Sequence, residues 1–216
     1  MCAIIGVICK NTEENISTIE KLFLESKIRG LHATGLSFIK KNSLLTIKEA
    51  LPADVFISKY NFNDLFKEES VIKLIGHCRY STSDIRYNQP ISDKDLSIVH
   101  NGVVTQEPYE KWKDMFHYDC ITQNDSELIF QYLKSGCIIE DINKTFTNIS
   151  FSLLSLTKEG ELIAKRNSLR PLWFVKRNEN LFYASTCNIL LRSGFKDCEI
   201  MKVESIDKIE KQNRHF

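Results

Sequence analysis

The sequence predicts an α+β protein in which helices cover the faces of β-sheets. Three observations predict it: an apolar run at the N-terminus, two clear amphipathic helical stripes, and many short strand-like runs separated by turn residues. At 216 residues, with 43% hydrophobic and 26% charged residues, the chain has an ordinary globular composition. Domains usually run roughly 100 to 200 residues, so a single domain over residues 2–216 is expected.

Each element has its own warrant. Cys2 to Cys9 are almost uninterruptedly apolar, which suits a strand buried on both faces. "NTEENISTIEKLFLESKIRG" places Ile16, Ile19, Leu22, Phe23 and Ile28 on one helical stripe, with Asn11 or Thr12 as cap and Gly30 as stop. "TGLSFIKK" and "SLLTIKEAL" read as a hairpin turning near Lys41, Asn42 and Ser43. "SVIKLIGHCRY" is a strand ending in the polar loop "STSDIRYNQP". "LSIVHNGVV" is an apolar strand interrupted by the turn dipeptide Asn101-Gly102. "NDSELIFQYLKSG" is the second helix, capped by Asn124 or Asp125, with Leu128, Ile129 and Tyr132 facing inward and Gly136 at its end. Four strand-like runs follow, "FSLLSL", "ELIAKR", "LWFVKR" and "LFYAS", with turns at Glu159-Gly160, Arg170-Pro171 and Asn178 to Asn180. The tail "EIMKVESIDKIEKQNRHF" offers one more strand and a charged, solvated end.

Composition narrows the function. A formal charge of +1 argues against a nucleic-acid or membrane surface, which needs a clustered basic face. No signal-peptide pattern opens the chain and no run approaches the roughly 18 apolar residues of a membrane span, so a cytoplasmic protein acting on small polar molecules is expected. Seven cysteines, an odd count with no C-x-x-C spacing, point to buried small hydrophobes rather than disulfides or zinc. His32, His77, His100, His117 and His215 are scattered without ligand spacing, so no metal is expected.

Cys2 raises the chemical question, because removal of Met1 would make it the N-terminus. A nucleophile needs a base, donors for the developing charge and a grip on the substrate. A freed α-amine has a reference pKa of about 7.7 to 8.0, so one residue would carry both base and thiol. For the charge, Asn101 offers its amide and Gly102 its backbone N–H, although an ordinary hairpin turn reads the same way. Arg79 at a strand end, with Thr82 three residues on, can grip a carboxylate, the alternative being a solvated arginine. Asp125 can accept from an ammonium, its default being a helix cap. Together these groups describe a site for a free α-amino acid with an attackable side-chain carbonyl, glutamine ahead of asparagine.

"MCAIIGV", "IRGLHATG", "GHCRYST", "VHNGVV" and "NDSELI", followed by "RNSLRPLWFV" and "LFYAST", together resemble the glutaminase domain of the class II glutamine amidotransferases, which are N-terminal nucleophile hydrolases. The resemblance covers nearly the whole chain. It implies a four-layer αββα sandwich of two stacked antiparallel sheets. It implies Cys2 as nucleophile with its own amine as base, and Arg29 and Gly30 as support for the nucleophile and the wall of the site. Arg79 and Thr82 would bind the glutamine carboxylate, and Asn101 and Gly102 would form the oxyanion hole. The Gly102 carbonyl and Asp125 would receive the substrate ammonium. Two departures stand out: the stretch after "RYST" lacks the glycine of the family's flap, and His32 and Ala33 replace the acidic residue some members carry after Arg-Gly.

No P-loop and no G-x-G-x-x-G appears, so no cofactor and no ATP or dinucleotide chemistry are expected. The chain ends about where a glutaminase domain ends, so ammonia would pass to an acceptor on a separate synthase or transferase subunit. Two other readings stay open: hydrolysis of another amide, and a non-catalytic glutamine-binding subunit.

Overall fold

The structure, a computed structural model, describes residues 2–80, 87–203 and 207–209. The first half runs β1 (Ala3–Lys10), α1 (Glu13–Ser26), β2 (Ala33–Lys40), β3 (Ser43–Glu49), α2 (Ala53–Lys59), α3 (Phe62–Phe66), β4 (Val71–Arg79), β5 (Ile91–Ser92) and β6 (Leu96–Val103). The second runs α4 (Trp112–Phe116), α5 (Ser126–Lys134), α6 (Ile142–Thr145), β7 (Ser150–Thr157), β8 (Leu162–Arg166), β9 (Trp173–Arg177), β10 (Asn180–Ala184), α7 (Cys187–Arg192), β11 (Glu199–Ile200) and β12 (Asp207–Ile209). Among the described residues no helix is long and apolar enough to cross a membrane.

Two antiparallel sheets result, ordered β11-β9-β10-β1-β4-β2-β3 and β12-β8-β7-β6-β5. Strand alternation sorts the apolar side chains into three layers. Ala3, Ile5, Val7 and Cys9 of β1 pack with Ile16, Ile19, Leu22 and Phe23 of α1, and Phe56, Phe62 and Leu190 join them from α2, α3 and α7. Ile4 and Ile8, on the opposite face of β1, meet Val99, Leu154, Leu156 and Leu162 of the second sheet. Phe151 and Leu153 face outward from that sheet onto Leu128, Ile129 and Tyr132 of α5. Three apolar seams between four layers make the αββα sandwich that the resemblance implied.

The sheets are aligned so that both carry their polar residues to one end. At mid-height, a Cβ on Gly6 would lie 2.9 Å from Leu154. At the far end, Lys73 Nζ donates to Gly160 O at 2.9 Å, tying β4 to the β7–β8 turn, and Lys73 pairs with Ile8. The opposite ends of β1 and β7, with Cys2 and Ser152, therefore share the near end. Ser97 Oγ donates to Ser37 Oγ at 2.7 Å across the seam.

Several expectations need correction. The α1 stripe stops at Ser26, and Ile28 lies beyond it, exposed, in the tight turn where Gly30 N donates to Lys27 O at 3.1 Å. Thr12 caps α1, accepting from Asn15 N at 3.2 Å, whereas Asn11 donates to Phe66 O and Glu69 O and ties in α3. Asn101-Gly102 is no turn: both residues lie inside β6, opposite Ser152 and Phe151. Of the seven cysteines, only Cys9 and Cys78 are buried free thiols, and Cys187 and Cys198 form a disulfide. The tail supplies two short strands, β11 and β12, instead of one.

Candidate active site

The site is built where β1 begins and β4 ends. Ala3 pairs with Cys78, so Cys2 stands across from Arg79 on the face turned toward the second sheet. Cys2 is half-buried, its Sγ 3.9 Å from Tyr80 O. Two groups fix the start of β1. Arg29 Nε donates to Cys2 O at 3.0 Å, and Ser185 Oγ accepts from Ile4 N at 2.8 Å. Gly30 lets the Arg29 turn lie against β4, since a Cβ there would fall 2.2 Å from Cys78 O. The structure thus brings Arg29 and Gly30 to Cys2.

Arg79 is buried rather than solvated. Its Nη1 donates to Tyr87 O at 2.7 Å and Asn88 Oδ1 at 2.8 Å, which sets the plane of the guanidinium. Thr82, the second half of the expected carboxylate clamp, lies outside the described residues, as do residues 83–86 at the start of the stretch that follows it.

The second sheet contributes Asn101. Ser97 and Val99 face the first sheet, so Asn101 at the next alternate position does too. It is 4% exposed, and its Nδ2 has no hydrogen-bond partner among the described residues. Buried amides nearly always find partners, so a donor left open at this position is unusual. Gly102 is required by close packing: a Cβ would lie 1.7 Å from Ser150 O and 2.7 Å from His100 Nε2. Gly102→Ala should cost about 3 kcal/mol of stability by overpacking. Urea unfolding checks this, and a loss below about 0.5 kcal/mol would contradict the strand assignment.

Asp125 precedes α5 but makes no side-chain cap. Its Oδ2 instead accepts from Val104 N at 2.6 Å, so the carboxylate lies at the end of β6, close to Asn101 and Gly102. Capping passes to Asn124, whose Oδ1 accepts from Ser126 N at 3.1 Å.

The sequence reading missed the network behind Asn101. Buried Gln89 accepts from His100 N at 2.6 Å and donates to His100 O at 3.1 Å, so its amide acts as a short strand beside β6. Gln89 Nε2 also donates to Ser126 Oγ at 3.1 Å, and Ser126 Oγ lies 2.8 Å from His100 Nδ1. His100 Nε2 faces the Ser150 carbonyl at 3.2 Å, a contact that needs a proton on Nε2, so Nδ1 accepts from the serine. The only sequence signal for Gln89 was the dipeptide Gln-Pro, which reads as loop.

Two buried histidines carry a pH consequence. Burial, helped by Arg79 and His100, pushes His77 down to about 3, and burial also lowers His100. The ordinary value is about 6.5, so at His77 the unfolded chain binds the extra proton between about pH 6.5 and 3. The stabilisation from a neutral His77 is complete above that window and is lost as pH falls through it, by up to about 1.4 kcal/mol per pH unit, and His100 acts in the same direction. Urea midpoints at pH 7 and pH 5 should therefore diverge less in His77→Leu than in the parent; equal divergence would contradict a neutral His77.

No family model matches the chain, and no characterised protein matches it in sequence. Solved structures do match. Glutamine phosphoribosylpyrophosphate amidotransferase from B. subtilis, complexed with ADP and GMP, aligns over 97% of this chain and 49% of its own, with TM-score 0.67 and 18% identity. A structure described as the allosteric regulatory enzyme of purine biosynthesis gives TM-score 0.71 at 18% identity, over 97% of this chain and 47% of its own. The chain has their fold. A predicted glutamine amidotransferase from Pseudomonas aeruginosa PA01 aligns at TM-score 0.50 and 10% identity over 97% and 94% of the two chains. This chain spans about half the length of the first two.

Proposed function

We propose that this chain is the glutaminase of a glutamine amidotransferase and that Cys2, freed by removal of Met1, is its nucleophile. The observation that carries the reading is the unpartnered Asn101 amide, buried and facing the sheet end that holds Cys2 and Arg79. The resemblance of the quoted motifs and the shared fold support it.

In this mechanism Arg79 and Thr82 bind the glutamine α-carboxylate, while Asp125 and the Gly102 carbonyl receive its ammonium. The α-amine of Cys2 takes the thiol proton as sulfur attacks the side-chain amide carbon. Asn101 Nδ2 and the Gly102 N–H stabilise the tetrahedral oxyanion. The C–N bond breaks, the amine returns the proton, and ammonia leaves. Water then adds to the thioester carbonyl, the C–S bond breaks, and glutamate departs as the thiol is restored. Ammonia would be consumed at an acceptor site on a partner subunit.

Purified protein with a verified Cys2 N-terminus is expected to release glutamate and ammonia from glutamine in equal amounts. No release, even with the products of neighbouring genes added, would overturn the reading.

A further inference from the structure

Beneath the nucleophile lies a set of polar groups for which the mechanism has no use. His77 is two residues before Arg79 on the same face of β4, so it too points between the sheets. It is 1% exposed, and neither ring nitrogen has a hydrogen-bond partner among the described residues. Ser152 of β7 is fully buried, and its Oγ is equally unpartnered. Ser152 pairs directly with Asn101, which places the two side chains about 5 Å apart at Cβ.

Register puts these groups at one height. Gly6 lies against Leu154, and a two-residue step from that level toward Cys2 reaches Ile4 on β1 and Ser152 on β7. His77 is the cross-strand partner of Ile4. Ser152 thus stands opposite Ile4, with His77 beside Ile4 on the next strand, one layer below Cys2, Arg79 and the site mouth. Gly35 flanks His77 on its other side, and the Gln89-Pro90 backbone crosses over that glycine, held by Lys48 Nζ through Asn88 O and Pro90 O. Ile75, Val99 and Leu154 close the space toward the core.

Packed sheets stand about 10 Å apart and neighbouring strands about 4.8 Å, so an imidazole and a hydroxymethyl group set diagonally across the gap leave room for about one water. Buried cavities hold water when two or more polar groups converge on them. An imidazole supplies one donor and one acceptor, and a serine hydroxyl supplies both. Arg79 disfavours a cation in the space, and the neutral ring and the hydroxyl bring no charge of their own to hold an ion. Burial and Arg79 also keep the His77 ring neutral.

We propose that His77 and Ser152 hold one small neutral hydrogen-bonding molecule beneath Cys2, water at rest and exchangeable with ammonia. The proposal deepens the glutaminase reading, and its ammonia half rests on it: the site lies one layer behind the carbon from which ammonia would leave. A neutral lining would hold the product without protonating it to ammonium, which no longer acts as a nucleophile.

Two measurements on the whole chain test this without turnover. A high-resolution crystal structure should show one ordered solvent peak within about 3.2 Å of a His77 ring nitrogen and of Ser152 Oγ. A dry space, or a protein group bonded to the ring, would overturn the proposal. Ring 15N resonances of His77, followed as ammonia is added at alkaline pH, should shift saturably. They should not respond to methylamine, which is too large. The ammonia shift should vanish in Ser152→Ala, a small change that keeps His77 as reporter; His77→Leu should lose the solvent peak. A peak with no ammonia response would also overturn the proposal. A protein that passes both tests yet hydrolyses no glutamine would reject the glutaminase reading alone.

Discussion

Cys2→Ala is expected to lower glutamate release by on the order of 10^4-fold or more while leaving the fold intact. Removing a nucleophile removes the covalent route itself, and the remaining groups can only polarise the amide for direct attack by water. Little else should change, because Cys2 is half-buried and its sulfur makes one long contact, 3.9 Å to Tyr80 O. The anchors of β1 are backbone groups that alanine retains: Cys2 O accepting from Arg29 and Ile4 N donating to Ser185. Unfolding midpoints should match the parent within error, which separates loss of chemistry from loss of structure. Steady-state release of glutamate within tenfold of the parent would remove Cys2 from the mechanism.

Asn101→Ala should lower kcat by about 10^2- to 10^3-fold, the usual cost of one oxyanion donor, with KM changed little. Its effect on stability has the opposite sign from that of most core truncations. A buried donor without a partner costs about 1–3 kcal/mol in the folded state, and Nδ2 of Asn101 is such a donor. Deleting it removes that penalty, which offsets the small cavity left behind. The variant should therefore be as stable as the parent or more so, as thermal unfolding will show. A variant that keeps its kcat, or loses several kcal/mol of stability, would mean that the amide has a structural partner and no place in the oxyanion hole.

Periodicity and turn chemistry made much of the frame legible. The α1 stripe, the β2–β3 hairpin, β4 and the run from β7 to β10 all lie where apolar spacing and Gly or Asn turns place them. Lys41 and Asn42 have positive φ of 49° and 57°, as their place in a two-residue hairpin turn demands. The errors have physical causes. Asn-Gly favours turns through glycine's freedom at positive φ, but Gly102 serves a different need, the close approach of Ser150 in a neighbouring strand, which no local signal carries. Ile28 continued a stripe past the point where the backbone leaves the helix. α2 and α3, of 7 and 5 residues, are too short to show a stripe. The bond between Cys187 and Cys198 depends on how α7 turns back to β11, and cysteine spacing does not encode that.

The candidate site could be listed from the sequence but not arranged from it. Cys2, Arg79, Asn101 and Asp125 could be named, yet their convergence depends on the register between two sheets. The supports are less visible still. Gln89 matters because its amide reaches both polar groups of one backbone residue, and Asp125 because it turns from its own helix to the end of β6. Both are tertiary facts.

The central claim is that a processed N-terminal cysteine is the reacting group. Intact-mass analysis and peptide mapping after treatment with an electrophilic glutamine analogue test it directly. The account predicts one adduct per chain, on an N-terminal Cys2 from which Met1 is absent, with activity lost in step. Fully active protein that retains Met1, or an adduct on any other cysteine, would contradict it.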